Sequence, residues 1–373
     1  MKVLQSIGLY NLLVNENAVG GTEMFLYQFD KELTQKKIDS RVITWSESQL
    51  YNDPEKRRII PFMNPVGNVE RFLHEHAEES LHVQRYAIEL EEIKRGVYDL
   101  VHSHTSNTFR FGNIIDIPII TTIHMPPESF FNPTRDKKRY PNNTFVCVSY
   151  AQKELFDKIG LEIDYVIQNG IDETNFTPAK TRDNYLLMLG RITHEKGTDI
   201  AIEVARKTGL DLIIAGSVDG DKESQSFFDE QIKPFVDMDL SDEENKYDSY
   251  KFSTKNKGKI FYVGRVNLSQ KIPLLSYAKA VLMPSRLKEG LSLVSLEALA
   301  SGAPIIGYPS GGIKEVVIDD KTGCLVHSPE EMSDAVRNIG NIQNDACRQL
   351  VLDNFTLSKM VDKYVKLYQN ILN

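Results

Sequence analysis

Glu289-Gly290-Leu291-Ser292-Leu293-Val294-Ser295-Leu296-Glu297-Ala298-Leu299-Ala300-Ser301-Gly302 is the stretch that decides the fold. An apolar run, Ala280 to Ser285, precedes it and another, Pro304 to Tyr308, follows it; both read as buried strands. From Ser292 onward, Leu293, Leu296, Leu299 and Ala300 recur at helical spacing, and Gly302 is a natural stop. Glu289 is therefore expected in the loop at a strand's carboxyl end, and Glu297 about one and a half turns into a helix. The helix start offers free N–H groups and a partial positive charge to the same crevice. That suits a ligand with a phosphate to hold and hydroxyls beside it. Either glutamate alone reads as a solvated charge. The pair, bracketing a helix start with a glycine between, reads as a site.

Outward from this stretch, strands alternate with helices. In the first half the spacing predicts strands at 3–8, 41–45, 100–104, 118–123 and 145–149, with helices after residue 23, over 79–94 and over 151–159. Residues 46–80 are polar and read as loop and short helix. The polar, proline-bearing stretch 176–184 reads as a linker. The pattern then restarts, with strands at 185–189, 212–216, 259–263 and 281–284 and helices at 198–207 and 268–278. The charged segment 219–257 is expected to be part helix and part mobile insertion, and 355–373 a closing helix. This is an α/β chain of two Rossmann-like, doubly wound halves with a cleft between their strand carboxyl ends. The expected division is 1–175, 176–355, and a helix 356–373 packing back toward the first half.

The chain has 373 residues, 41% of them hydrophobic, which is ample for two cores. A net charge of -8 argues against nucleic acid as a partner. No apolar run approaches the ~20 residues of a membrane span, and residues 1–10 read as a first strand rather than a signal peptide. Cys147, Cys324 and Cys347 are few and scattered, as for reduced thiols in a cytoplasmic protein, and form no metal spacing.

Few residues carry chemistry. Gly20-Gly21-Thr22 falls at a helix start after the first strand, where glycines let backbone N–H groups approach an anion or simply make a turn. It is not the spaced glycine fingerprint of dinucleotide enzymes, and no acidic residue closes the next strand. Arg191 and Lys196 enter a helix from the first strand of the second half. Two cations there suit a diphosphate, though surface charge paired with Glu195 explains them equally well. His124 ends a strand, as a ligand or acid/base candidate or as a structural cap. His102 and His104 alternate along their strand, and only one of the two is expected to face the cleft. There is no nucleophile elbow and no P-loop.

Together these residues resemble glycosyltransferase family 4. The resemblance rests on Gly20-Gly21-Thr22-Glu23, on Gly190-Arg191-Ile192-Thr193-His194-Glu195-Lys196-Gly197, and on Glu289 through Glu297 with Ala298 to Pro304. Asn169 to Asp172, Gly311 to Val317 and Thr322 to Val326 match further segments, so the likeness spans nearly the whole chain in order. It implies the GT-B fold and retaining transfer of a hexosyl or N-acetylhexosaminyl group from a nucleotide-diphosphate sugar to a hydroxyl. UDP-sugars come first, with UDP-glucose and UDP-N-acetylglucosamine both open, and GDP-mannose next. It also implies a first half that takes the acceptor and a second half that takes the donor.

By the same resemblance, Arg191 and Lys196 would hold the donor diphosphate with the Gly20-Gly21-Thr22 backbone facing it, and Glu297 the ribose hydroxyls. Glu289 would sit at the transferred sugar, with the backbone of Gly290, Leu291, Ser292 and Leu293 along the donor. His124 would contact the sugar near the reacting carbon, and Gly216, Ser217, Arg265 and Val266 would lie by the nucleobase. The family often has an aromatic residue and a glycine where this chain has Leu291 and Ser292. No cofactor and no metal are expected, two fixed cations replacing one. The acceptor is expected around 46–80 and 125–141, where Arg135 to Arg139 would suit an anionic membrane face or a phosphorylated acceptor, or stand as a solvated loop. The rivals are a GT-B sugar-nucleotide 2-epimerase and an inactive partner subunit.

Overall fold

The structure is a computed structural model. It describes every residue except 9–12, 17, 19, 62–77, 106–107, 128–141, 219 and 242–257, and the side chains of 78–82. Arg135 to Arg139, and residues 219 and 242–257 of the charged segment 219–257, lie outside the described residues. The chain forms two compact units, one of Met1–Asn169 with Leu357–Asn373 and one of Gly170–Thr356.

In the first unit β1 (Lys2–Ser6) leads to α1 (Gly21–Gln35), β2 (Asp39–Thr44), β3 (Ile59–Pro61), α2 (Glu78–Lys94), β4 (Leu100–Ser103), β5 (Ile119–Ile123), β6 (Asn143–Cys147), α3 (Tyr150–Lys158) and β7 (Tyr165–Val166). The seven strands form one sheet in the order β3-β2-β1-β4-β5-β6-β7, every pairing parallel. A parallel sheet is covered on both faces, which is why Val3, Leu4, Val101, Ile119 and Ile120 are all fully buried. β3 corrects the expectation of loop and short helix over 46–80: Ile59 and Ile60 pair with Val42 and Ile43 at the sheet edge. The C-terminal helix Leu357–Leu372 belongs to this unit and packs on α1, burying Met360, Val361, Tyr364, Leu367 and Tyr368. The α2 side chain Arg85 is buried beside β1, with Nε donating to the carbonyl of Ile7 at 2.8 Å and its guanidinium 3.4 Å from Glu89.

In the second unit come β8 (Tyr185–Leu189), α4 (Thr198–Thr208), β9 (Asp211–Ala215), α5 (Lys222–Phe227), β10 (Met238–Asp239), β11 (Ile260–Gly264), α6 (Leu268–Tyr277) and β12 (Ala280–Met283). They are followed by α7 (Leu293–Ala300), β13 (Ile305–Gly307), β14 (Gly323–Leu325), α8 (Pro329–Asn338) and α9 (Asn344–Asn354). The sheet order is β10-β11-β9-β8-β12-β13-β14, again all parallel. Order reverses between β8 and β12, the place where open α/β sheets hold ligands. The stretch read as a linker is part of this body: Phe176 is 1% exposed in the core, and Arg182 donates to the carbonyls of Lys279 and Ile342. Among the described residues, no helix is long and apolar enough to cross a membrane.

Candidate active site

The loops leaving β8 and β12 meet at the reversal of strand order. After β8 the backbone makes a short 3₁₀ turn, His194–Lys196, ended by Gly197 at φ 76°. A side chain at Gly197 would strike the Pro284 carbonyl, so this position needs glycine both for its left-handed backbone and for its close approach to the β12 loop. That approach brings Lys196 Nζ to 2.5 Å from Glu289 Oε1, while Ser285 Oγ donates to the same oxygen at 3.2 Å. Arg286 locks the two loops from outside, bidentate to Asp199 at 3.0 and 2.7 Å and bonded to the His194 carbonyl at 2.5 Å.

Glu289 is also fixed through its backbone. Gly312 donates its N–H to the Glu289 carbonyl at 3.0 Å, and Gly311, at φ 68°, packs against that carbonyl with no room for a side chain. The glycine pair thus clamps the loop that carries the first carboxylate.

Glu297 lies in α7, which is apolar nearly all round: Leu296, Ala298, Leu299 and Ala300 are fully buried. Ser292 is its N-cap residue, but its side chain caps nothing; Ser295 Oγ donates to the Ser292 carbonyl instead. The Glu297 side chain is 4% exposed. Oε1 accepts from Lys271 Nζ at 2.6 Å, and Oε2 is buried with no hydrogen-bond partner among the described residues. Sequence reasoning missed Lys271. Its signal is positional: on α6 it shares a face with Leu268 three residues before and the buried Leu275 four residues after, where a cation needs a buried anion. Asn267 and Gln270 start this helix with a capping box that fixes its first turn. Lys271→Met is expected to leave Glu297 charged and unpaired and to cost roughly 1–3 kcal/mol in urea denaturation. Adding Glu297→Gln to it should return part of that loss.

The remaining second-unit positions sit at neighbouring strand ends. Gly216 packs on the Gly190 carbonyl and donates to the Gly264 carbonyl at 2.8 Å, and Ser217 accepts from the Ile192 N–H at 2.9 Å. Arg265 is exposed and Val266 packs partly on the core. Arg191 is exposed; its charge, after hydrogen bonds and His194, helps hold the Glu195 carboxyl below its ordinary range. Gly290 and Leu291 are buried, and Leu293 opens α7 half-buried.

The first unit carries its own polar cluster. Gly20 is the N-cap of α1, Gly21 and Thr22 begin the helix, and the Glu23 carboxylate folds back over Gly20. The two strand histidines do not alternate between faces. Residues two apart share a face of a strand, and the rings of His102 and His104 lie 4.3 Å apart. His102 bonds Thr122 Oγ1 at 2.8 Å and Tyr368 OH at 2.6 Å, and Thr122 reaches Tyr364 OH at 2.9 Å. His104 Nδ1 lies 3.1 Å from Nε2 of His124, which follows β5. Burial holds all three rings neutral: it lowers His102 to about 3 and His124 to about 4, and takes His104 well below the ordinary range.

Comparison with known proteins follows the same division. Residues 19–175 match the family described as Glycosyltransferase Family 4, and residues 171–351 match Glycosyl transferases group 1. An uncharacterized glycosyltransferase of Methanocaldococcus jannaschii is 23% identical, covering 95% of both chains. Alpha-maltose-1-phosphate synthase of Mycobacterium tuberculosis is 26% identical over 61% of this chain and 64% of its own. Among solved structures, sucrose-phosphate synthase of Thermosynechococcus elongatus superposes with a TM-score of 0.74 at 16% identity, covering 100% of this chain and 99% of the other. Anabaena HepE, solved with UDP and glucose, gives 0.71 at 16% identity over 99% of each. At such identities the superpositions show the fold, and the fold is GT-B. The two family matches, end to end along the chain, add what the fold alone does not: the protein belongs to the family 4 glycosyltransferases.

Proposed function

We propose that this glycosyltransferase moves a hexosyl or N-acetylhexosaminyl group from a nucleotide-diphosphate sugar to a hydroxyl acceptor, with retention and without a metal ion. The observation that carries the reading is the Glu297 carboxylate, whose Oε2 is buried and has no hydrogen-bond partner among the described residues. A buried anion oxygen of that kind is costly unless a ligand donates to it, and a ribose hydroxyl does so. The same loop-and-helix stretch holds Glu289 against Lys196, so a cation stands ready for the diphosphate. The UDP in the HepE structure supports a UDP-sugar as the first donor to try, with GDP-mannose next.

In this reading, breakage of the sugar–phosphate bond moves negative charge onto the departing diphosphate. Lys196, Arg191 and the N-terminus of α7 stabilise it where it grows. Glu289 then passes from Lys196 to the hydroxyls of the transferred sugar, and His124 contacts that sugar. Attack comes from the face the diphosphate leaves, and a phosphate oxygen accepts the acceptor's proton. The relative named for maltose-1-phosphate makes phosphorylated sugars the first acceptor class to test.

Thermal unfolding in the presence of UDP-glucose, UDP-N-acetylglucosamine and GDP-mannose, each with EDTA, tests the donor. At 100 times Kd a true donor stabilises by about 2.7 kcal/mol. No shift with any nucleotide sugar would sink the reading. A new epimer formed from donor alone would replace it with the epimerase, and binding without turnover across many acceptors with an inactive partner subunit.

A further inference from the structure

His104 has no role in the reaction outlined above, yet its setting constrains a residue that does. The ring is 6% exposed and packs against Phe25 and Phe29 at centroid distances of 5.3 and 6.2 Å. Its Nδ1 meets Nε2 of His124 at 3.1 Å, and its own Nε2 is buried without a partner among the described residues. With both rings neutral, one proton lies on the line between Nδ1 and Nε2, and it belongs to one ring or the other.

The two placements differ in what they leave behind. A proton on His124 Nε2 forces the His104 proton onto the buried Nε2, as an N–H donor with nothing to receive it. A proton on His104 Nδ1 leaves only a bare acceptor there. Orphaned buried N–H groups are rarer than under-satisfied acceptors, because a stranded donor forfeits a whole hydrogen bond. The second placement is therefore the stable one.

We infer that His104 donates from Nδ1 to His124 Nε2 and so fixes His124 as the Nδ1–H tautomer. His124 then presents a hydrogen-bond donor, not a lone pair, to whatever stands beside it. It serves an oxygen of the transferred sugar and takes no proton. His104 is the positioning residue that sets this polarity. The tautomer follows from the structure alone; its use toward a sugar rests on the proposed function.

Long-range ¹H–¹⁵N correlation spectra of the ¹⁵N-histidine-labelled full-length protein at pH 7.5 read the tautomer directly, with His124→Asn to assign the resonances. The expected result is a protonated Nδ1 and a bare Nε2 on His124. His104→Phe keeps the ring volume and removes the donor, so the Nδ1–H form of His124 loses the bond that favoured it and its Nε2–H share should rise. His104→Asn places an amide N–H near the old Nδ1 and should restore the original form. Donor kcat/KM is expected to fall roughly 10-fold in His104→Phe, with affinity for the nucleotide diphosphate alone unchanged, and to recover in His104→Asn; a 10-fold loss corresponds to one hydrogen bond of about 1.4 kcal/mol. His124 protonated at Nε2 in the wild type, or a tautomer indifferent to His104→Phe, overturns the inference. The inferred tautomer in a protein that turns over no nucleotide sugar would instead count against the proposed function and leave the tautomer standing.

Discussion

Lys196→Ala is expected to lower kcat by roughly 10²- to 10³-fold, a loss of about 2.7–4 kcal/mol of transition-state stabilisation. The ammonium is not a mobile surface charge. It is delivered by a tight turn whose Gly197 packs on the Pro284 carbonyl, and it rests 2.5 Å from Glu289 with both side chains under a quarter exposed. In the proposed transfer, a cation already held at the site has little left to reorganise when charge appears on the leaving diphosphate. The donor KM should rise far less than kcat falls, since the growing charge exceeds that of the ground state. Lys196→Arg should rescue little, because a planar fork does not replace a compact point charge at a site this close. Initial rates with the donor found by thermal shift measure the effect. A Lys196→Ala enzyme that kept more than a tenth of its kcat would remove this residue from the leaving-group site.

The second large effect is on stability, and pH exposes it. His102, His104 and His124 are held below their ordinary value of 6.5 by burial, to about 3 for His102 and about 4 for His124. The unfolded chain therefore binds their protons first as pH falls. Their neutral burial contributes full stability above about pH 6.5, and that contribution is lost progressively down to about pH 4, where His124 begins to protonate in the folded state. Each histidine contributes a slope of about 1.4 kcal/mol per pH unit, so three together approach roughly 4 kcal/mol per unit. Domains are stable by only about 5–15 kcal/mol, so the first unit is expected to unfold near pH 5. Asp30 and Glu89, whose carboxyls burial pushes up, act in the opposite sense and soften the fall at its acid end. Urea titrations between pH 5 and 7 isolate the histidine part: His104→Phe should flatten the slope by about one proton, or about 1.4 kcal/mol per unit. An unchanged slope would show that His104 takes up its proton in the folded protein.

The stretch 289–302 was readable because three local signals agree there: a buried strand before it, helical spacing through it, and Gly302 after it at φ 79°. Two of the four edge strands, β3 and β10, were not readable. β3 has two apolar residues and a proline, and β10 is two residues long, so neither has a period to detect. The linker reading of 176–184 failed because polar composition says nothing of Arg182, whose guanidinium serves as an internal clasp on two backbone carbonyls. The histidine pair was misread by a rule of geometry: with a period of two, His102 and His104 had to share a face. Gly311 and Gly312 were matched as a family segment, but only the fold shows their task, which is to let one loop lie directly on the carbonyl of Glu289. Lys271 was overlooked because its partner Glu297 is 26 residues away, and a single charge in a short helix reads as solvated until its neighbours are placed.

The helix Leu357–Leu372 gives the fold an order in time. It completes the first unit, yet it leaves the ribosome only after all of Gly170–Thr356. Tyr364 and Tyr368, which cover His102 and Phe29, are made only after the second unit. While the second unit is being translated and folded, the nascent chain carries an open, aromatic-rich face that later disappears, the kind of surface on which chaperones act and aggregation begins. Damage within Leu357–Leu372 therefore harms a sheet whose strands are all made before the second unit.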